Sequence, residues 1–156
     1  MSPTPPAARQ APDARRRQDP ASLAADLRVS VMRTTRRLRA EKSDADLSDA
    51  QYSVLAVLDR HGPITPGELA AHERVQPPSM TRTLACLLDR GLVTRTGHPR
   101  DGRQVLVALS EAGKATVAET RRRRDAWLAR RLAELDPGER ATLAAASEIL
   151  RRIADS

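Results

Sequence analysis

The chain has 156 residues, and its 27 Lys and Arg against 20 Asp and Glu give a formal net charge of +7. This length suits one compact domain or two small lobes that share a core. The basic balance favours nucleic-acid binding, although a GC-rich genome also produces Arg-rich chains. Aromatic residues make up only 1% of the chain, which argues against binding of single strands or RNA by base stacking.

The single cysteine, Cys86, excludes an intramolecular disulfide and fits a reducing cytoplasm. No apolar run approaches the ~20 residues of a membrane span, so we expect no membrane partner. Residues 1–20 lack the apolar segment of a secretory signal and are rich in Pro, Ala and Arg. We therefore predict that they form a disordered basic N-terminal arm.

The first predicted element is an amphipathic helix from residue 21 to about residue 42. Its apolar stripe consists of Leu23, Leu27, Val31 and Leu38. Too little sequence precedes this helix to form a domain, so the stripe must pack on something distant.

Three helices with clear start and stop signals follow. Residues 48–51 and 65–68 are capping boxes, and the second has Pro66 at the first helical position. Gly62 and Pro63 end the first of these helices. A third helix opens at Pro77 and runs to about residue 90, where Gly91 supplies a left-handed residue.

The periodicity then changes from helix to strand. Residues 92–96 and 104–109 read as two strands around a charged, turn-forming loop at residues 97–103. Ser110 caps a long helix that reaches residue 135, and a third capping box at residues 136–139 opens the last helix. We predict a mainly α fold with a small β-hairpin wing. It is a winged helix-turn-helix at residues 47–110, flanked by helices at 21–46 and 111–156.

The helix that opens at Pro77 has the two faces expected of a helix that reads the DNA major groove. At 100° per residue, Met80, Leu84 and Leu87 cluster on one side. The opposite face and its flanks carry Ser79, Thr81, Arg82 and Thr83. Short hydroxyl side chains let the backbone approach phosphates while Arg reaches a guanine edge. A solvated helix face has the same pattern, and the hairpin that follows is what favours DNA binding.

Two arginines, Arg100 and Arg103, flank Asp101 and Gly102 at the predicted hairpin tip. Arginine on a narrow loop suits the negative potential of the minor groove. Because Asp101 would oppose phosphate, we expect it to orient a neighbouring arginine or to cap the turn. A solvated charged turn is the alternative.

Six short motifs stand in order along the middle of the chain. They are Leu47-Ser48-x-x-Gln51, Thr65-Pro66-Gly67-Glu68-Leu69-Ala70, Pro78-Ser79-Met80-Thr81-Arg82, Asp89-Arg90-Gly91-Leu92-Val93, Asp101-Gly102-Arg103 and Leu109-Ser110-Glu111-Ala112-Gly113. In this order and spacing, the stretch resembles the multiple-antibiotic-resistance regulator (MarR) family of bacterial transcription factors.

The resemblance implies a homodimer whose first and last two helices interlock around a two-fold axis. Apolar stripes too rich for a 60-residue lobe to cover also favour this assembly. A dimer predicts a pseudo-palindromic site in double-stranded DNA with half-sites about 10 bp apart. By resemblance, Arg82 and its neighbours read the major groove and Arg103 enters the minor groove. The DNA-binding residues we predict are Gln76, Pro78, Ser79, Thr81, Arg82, Thr83, Arg95, Arg100 and Arg103.

Many members of the family release DNA when they bind a small phenolic or lipophilic compound, so the resemblance also implies an effector of unknown identity. Tyr52 and Trp127 are candidate pocket residues, with a core role as the alternative. Cys86 falls on the Ser79 and Arg82 side by helical period. An oxidised thiol there would perturb DNA contact, and an inert, half-buried thiol is the alternative.

His61, His72 and His98 have neither helical ligand spacing nor a nearby cysteine cluster, so we expect no metal site and no cofactor. The chain has no nucleophile elbow, phosphate-binding glycine loop or Ser/His/Asp set, which argues against an enzyme.

The leading hypothesis is a cytoplasmic, nucleoid-associated and sequence-specific regulator, with repression as its expected output. One alternative is an architectural protein that binds DNA non-specifically through its arginines and basic arm. Another is a module whose winged fold binds a protein. The Ser79, Thr81 and Arg82 face favours base reading, and a protein-binding module leaves the hairpin arginines without a role.

Overall fold

The protein is described here by a computed structural model that covers residues 19–41, 47–99 and 101–155. The helices in these ranges are α1 (Pro20–Ala40), α2 (Asp49–His61), α3 (Pro66–Glu73), α4 (Pro77–Asp89), α5 (Glu111–Ala133) and α6 (Pro137–Ala154). One hairpin, β1 (Val93–His98) and β2 (Asp101–Leu109), lies between α4 and α5. The chain divides into two compact units, one up to Arg37 and one from Leu38 onward. Within the described ranges, no helix has the length and apolar character needed to cross a membrane.

Helix α1 confirms the first predicted element, although it begins one residue earlier than expected. The Asp19 carboxylate accepts a hydrogen bond from the Ser22 amide at 3.1 Å, which satisfies a free donor of the first turn. Of the predicted disordered arm, only Asp19 and Pro20 lie in the described residues, and they form this helix start. No side chain of α1 is buried. Its exposed large apolar side chains are Leu23, Leu27, Val29, Val31 and Met32.

All three capping boxes that the sequence predicts are present. In α2 the Ser48 hydroxyl accepts from the Gln51 amide at 3.2 Å, and the Gln51 side-chain oxygen accepts from the Ser48 amide at 2.9 Å. The same reciprocal pairs open α3 at Thr65 and α6 at Asp136. Each box satisfies amide groups that have no partner inside the helix, so the three starts are fixed by local sequence.

The second unit is built around one apolar core at the crossing of α2, α3 and α4 with the base of the hairpin. Helix α5 adds Val117 to it. The buried apolar side chains are Leu47, Val54, Leu55, Leu58, Leu69, Ala70, Met80, Leu84, Leu87, Leu92, Val93, Val107 and Val117. Every helix of the helix-turn-helix therefore buries one face against a shared centre, which fixes the orientation of α4.

The hairpin is antiparallel, with Val93 opposite Leu109 and Gly97 opposite Val105. A bulge follows Gly97, so that His98 faces Asp101. The predicted loop at residues 97–103 was too long, because the strands continue toward the tip on both sides. A backbone bridge joins β2 to the segment between α2 and α3. The Ile64 amide donates to the Val107 carbonyl at 3.1 Å, and the Val107 amide donates to the Ile64 carbonyl at 2.9 Å.

The start of α5 is held tightly against the end of α4. The Ser110 hydroxyl donates to the Gly91 carbonyl at 2.6 Å, and the Ser110 amide donates to the Leu92 carbonyl at 3.1 Å. Gly91 has a φ of 66°, as predicted from its place after the helix. An ideal Cβ at Gly113 would lie 2.0 Å from the Leu92 carbonyl oxygen. Only glycine fits this position without a shift of the backbone.

The outer parts of α5 and α6 carry many paired charges and an exposed apolar stripe. Glu119 accepts hydrogen bonds from Arg123 at 2.6 Å and from Arg122 at 2.5 Å, and these bonds lower the pKa of its carboxyl group. No side chain of α6 is buried. The large apolar side chains it exposes are Leu143, Ile149, Leu150 and Ile153.

Candidate nucleic-acid interface

Helix α4 presents one face to the core and one to solvent, as its sequence predicts. Met80, Leu84 and Leu87 are 2%, 1% and 0% exposed. Ser79 and Arg82 are exposed on the opposite side. The three buried side chains hold the helix against the core, which leaves the polar face in a fixed orientation.

The first turn of α4 offers few backbone donors. Pro77 and Pro78 have no N–H group, and the amides of Ser79 and Met80 both donate to the Gln76 carbonyl, at 3.0 and 3.2 Å. Gln76 is the N-cap residue and makes no capping hydrogen bond with its side chain. Its side-chain amide group therefore remains available to a ligand, and a ligand at this end of α4 would meet side chains more than backbone donors.

The two threonines of α4 use their hydroxyl hydrogens within the helix. Thr81 donates to the Pro77 carbonyl at 3.0 Å, and Thr83 donates to the Ser79 carbonyl at 3.1 Å. Thr81 is exposed and Thr83 is half-buried. Their oxygens keep lone pairs, so each can accept a hydrogen bond from a base amino group while its own hydrogen is engaged.

Three arginines on α4 and the hairpin are exposed to solvent. Arg82 on α4, Arg95 on β1 and Arg103 on β2 are all exposed. Arg95 lies opposite Val107 in the hairpin register. Among the described residues, no carboxylate pairs with these three guanidinium groups, whereas Arg121, on α5, pairs with Asp59 at 3.0 Å. Unpaired guanidinium groups are suited to phosphates and guanine edges. Arg100, the fourth predicted arginine, lies outside the described residues.

Asp101 caps the turn at the hairpin tip. Its Oδ1 accepts from the Arg103 amide at 3.0 Å and its Oδ2 accepts from the Gln104 side-chain amide at 3.0 Å. These local bonds are one of the two roles expected from the sequence. These hydrogen bonds fix the backbone conformation at Arg103.

Cys86 lies farther from the open face than the helical period predicts. Its thiol is half-buried and accepts a hydrogen bond from the Gln51 side-chain nitrogen at 2.9 Å. The sulfur therefore contacts α2, and this hydrogen bond joins α2 to α4. This environment favours the alternative of an inert thiol.

The two aromatic side chains each stand beside an arginine of α5. The Arg124 guanidinium carbon lies 4.1 Å from the centre of the Tyr52 ring, and the Arg131 carbon lies 5.8 Å from that of Trp127. Both rings are half-buried. The Nε of Arg124 is buried, and no described group accepts a hydrogen bond from it. Sequence reasoning considered Tyr52 and missed Arg124, because the contact joins helices that are far apart in the chain.

Two further features of the helix-turn-helix escaped the sequence. Arg74 ends α3 with a φ of 53°, a left-handed conformation that non-glycine residues rarely adopt. His61 and His72 stack with their ring centres 4.5 Å apart. The histidine contact depends on how α2 and α3 meet, whereas Arg74 takes the left-handed position at the end of α3 that glycine usually fills.

Comparison with known proteins agrees with this geometry. The model of the MarR family matches residues 47–105. An uncharacterized HTH-type transcriptional regulator of Mycobacterium bovis, Mb0904, is 48% identical over 135 residues, which cover 86% of this chain and 94% of that protein. The HTH-type transcriptional repressor MdtR of Bacillus subtilis is 27% identical over 121 residues, which cover 75% of this chain and 78% of that protein.

Among solved structures, wild-type MarR from E. coli in its apo form superposes with a TM-score of 0.69 at 29% identity. The match covers 84% of this chain and 96% of that one. Helix α4 and β1 lie within the matched family region, and β2 begins in it and ends four residues beyond it. The chain therefore belongs to the MarR family of transcriptional regulators, which bind DNA.

Proposed function

We propose that this protein is a sequence-specific repressor that binds a pseudo-palindromic operator as a homodimer and leaves it when a small molecule binds. The observation that carries the proposal is the two-sided helix α4. Its buried face is anchored in the core, while Ser79 and Arg82 project to solvent. A rigid helix with a free arginine is suited to a guanine edge in the major groove.

Arginines with and without an ion pair occur across the second unit. Arg122 and Arg123 on α5 share the single carboxylate of Glu119, and Arg151 on α6 lies 2.7 Å from Glu148. Arg82 and Arg103 have no such partner among the described residues. Arg130 on α5 and Arg152 on α6 are also exposed without an ion pair among the described residues, so a specific interface is supported by the fixed polar face of α4 and not by the placement of free arginines.

The dimer is supported by apolar surface that each unit leaves uncovered. Helix α6 exposes Leu143, Ile149, Leu150 and Ile153, and Ile153 is 60% exposed. Helix α1, described by itself, exposes a further apolar stripe. Contiguous apolar surface of this kind is typical of an obligate interface. A second copy would cover both stripes, and two-fold symmetry then sets a palindromic operator.

Repression is proposed because MdtR, a relative, is named a transcriptional repressor. Release by an effector is proposed from the environment of Tyr52. The buried Nε of Arg124 beside that ring has no acceptor among the described residues. A small aromatic acid would supply both an acceptor and a ring to pack on Tyr52. Operator release on addition of phenolic carboxylates, lost in Arg124→Met, is the expected result.

Selection of binding sites from random duplex DNA at about 150 mM salt tests the specific interface. We expect enrichment of a pseudo-palindrome with half-sites about 10 bp apart, and at least ~10³-fold tighter binding to it than to random DNA. Tight binding to all sequences without enrichment would instead favour the architectural alternative. Absence of binding by the effector-free protein would favour a protein-binding module.

A further inference from the structure

The C-terminal ends of α2 and α3 bring two histidines together on the surface of the second unit. His61 is the last residue of α2 and His72 lies in the last turn of α3. Their ring centres are 4.5 Å apart, with an angle of 33° between the planes. Both side chains are exposed. We propose that His61 and His72 form a two-histidine site for a divalent transition-metal ion.

The distance between the rings fits a shared metal ion. A metal–nitrogen bond to imidazole is about 2.0–2.1 Å, so two imidazoles on one ion at 90–110° have ring centres about 4.5–5 Å apart. The observed separation falls in this range before any metal is bound. Because both side chains are exposed, each ring can turn until one nitrogen points at the ion, with little cost in packing.

The ends of the two helices favour a cation at the same place, and Arg60, which precedes His61 in the last turn of α2, opposes it. The C-terminal end of a helix carries partial negative charge, and here two helices end side by side. The nearby carboxylates are engaged elsewhere. Glu73 accepts from the Ser53 hydroxyl at 2.9 Å, and Asp59 pairs with Arg121. In the described part of the chain, no third histidine, cysteine or carboxylate completes a cluster.

The ligand set therefore consists of two imidazoles, and water fills the other positions on the ion. Imidazole suits Zn²⁺, Cu²⁺ and Ni²⁺ and is a poor ligand for Mg²⁺ and Ca²⁺. An ion bound to both rings would join α2 to α3, which hold α4 in place. The site would then stabilise the helix-turn-helix against unfolding, because a ligand of the native state alone shifts the folding equilibrium.

The test is titration of the untagged, full-length protein with NiCl₂ at pH 7.5, followed by calorimetry. We expect one Ni²⁺ per chain, and at least a tenfold loss of affinity in both His61→Gln and His72→Gln. His98→Gln, which removes the imidazole of β1, is the matched control and should bind as wild type does. The proposal is overturned if wild type binds no Ni²⁺, or if His61→Gln or His72→Gln binds as tightly as wild type.

Thermal unfolding provides a second measurement on the same proteins. The Tm of wild type and of His98→Gln should rise with Ni²⁺ concentration, while that of His61→Gln should stay constant. An equal rise in all three would place the ion elsewhere on the chain and refute the two-histidine site. Neither measurement depends on DNA, so the result is independent of the proposed operator binding.

Discussion

Replacement of Gly113 by Ala should destabilise the second unit through a single close contact. The new methyl group would stand 2.0 Å from the Leu92 carbonyl oxygen, a separation that real Cβ atoms do not reach, and 3.2 Å from Cδ2 of Leu109. Leu92 cannot retreat freely. Its amide donates to the Leu87 carbonyl at 2.9 Å, and its carbonyl accepts from the Ser110 amide at 3.1 Å.

Overpacking of this kind costs ~1–3 kcal/mol. Displacement of the Leu92 carbonyl would weaken a hydrogen bond worth roughly 1 kcal/mol, and the better helix propensity of Ala offsets about the same amount. The expected loss is therefore about 2 kcal/mol, or roughly 4–8 °C in Tm for a chain of this size.

Urea denaturation of wild type and Gly113→Ala at one fixed protomer concentration measures this loss, because the stability of a dimer depends on concentration. Gly67→Ala is the matched control. It also changes a glycine in the first turn of a helix, but there the nearest atom to the new methyl group is 3.9 Å away. We expect the control to equal or slightly exceed wild type in stability. If Gly113→Ala were as stable as Gly67→Ala, the close contact between Gly113 and the Leu92 carbonyl would not limit this position.

Three further predictions concern the interface and the core. Arg82→Ala should lower the free energy of binding to the selected operator by ~1–3 kcal/mol and relax the sequence preference, while Arg103→Ala should weaken binding with less loss of base discrimination. Titration of both variants against operator and random DNA measures these effects. Unchanged operator affinity in Arg82→Ala would contradict the assignment of this face of α4 to base reading. Leu55→Ala should cost about 2–5 kcal/mol in urea denaturation, because its side chain is fully buried, and a loss under 1 kcal/mol would mean that the core rearranges. Peroxide should leave operator affinity unchanged in both wild type and Cys86→Ser, because the half-buried thiol is hydrogen-bonded to Gln51 of α2. A loss confined to wild type would show that this thiol responds to oxidation.

The helix-turn-helix was predictable because short sequence patterns determine where its helices begin and end. Ser48 with Gln51 and Thr65 with Glu68 identify helix starts from residues three apart, and the observed bonds join the same atoms. The apolar spacing of Met80, Leu84 and Leu87 likewise predicted the buried face of α4. In these cases the interactions that decide the structure lie within one or two helical turns.

Features that depend on contacts between elements were not predictable. The stacking of His61 on His72 and the contact of Arg124 with Tyr52 require the angle at which two helices meet, which no local pattern encodes. Cys86 was placed by helical period on the open face, but the period says nothing of the Gln51 side chain from α2. The hairpin loop was overestimated because Gly and Pro suggest a turn even where strand pairing continues past a bulge.

The backbone bridge between Ile64 and Val107 divides the hairpin into two regions with different tolerance to mutation. The base near Val107 is hydrogen-bonded to the segment between α2 and α3, so its amides should exchange with solvent only when the core opens. Beyond Gly97, the strand pairing among the described residues is between β1 and β2 only. Substitutions at the base should therefore act on the amount of folded protein, whereas those at the tip should leave folding intact. The part that Arg103 plays in DNA binding can then be measured by substitution without a loss of folded protein.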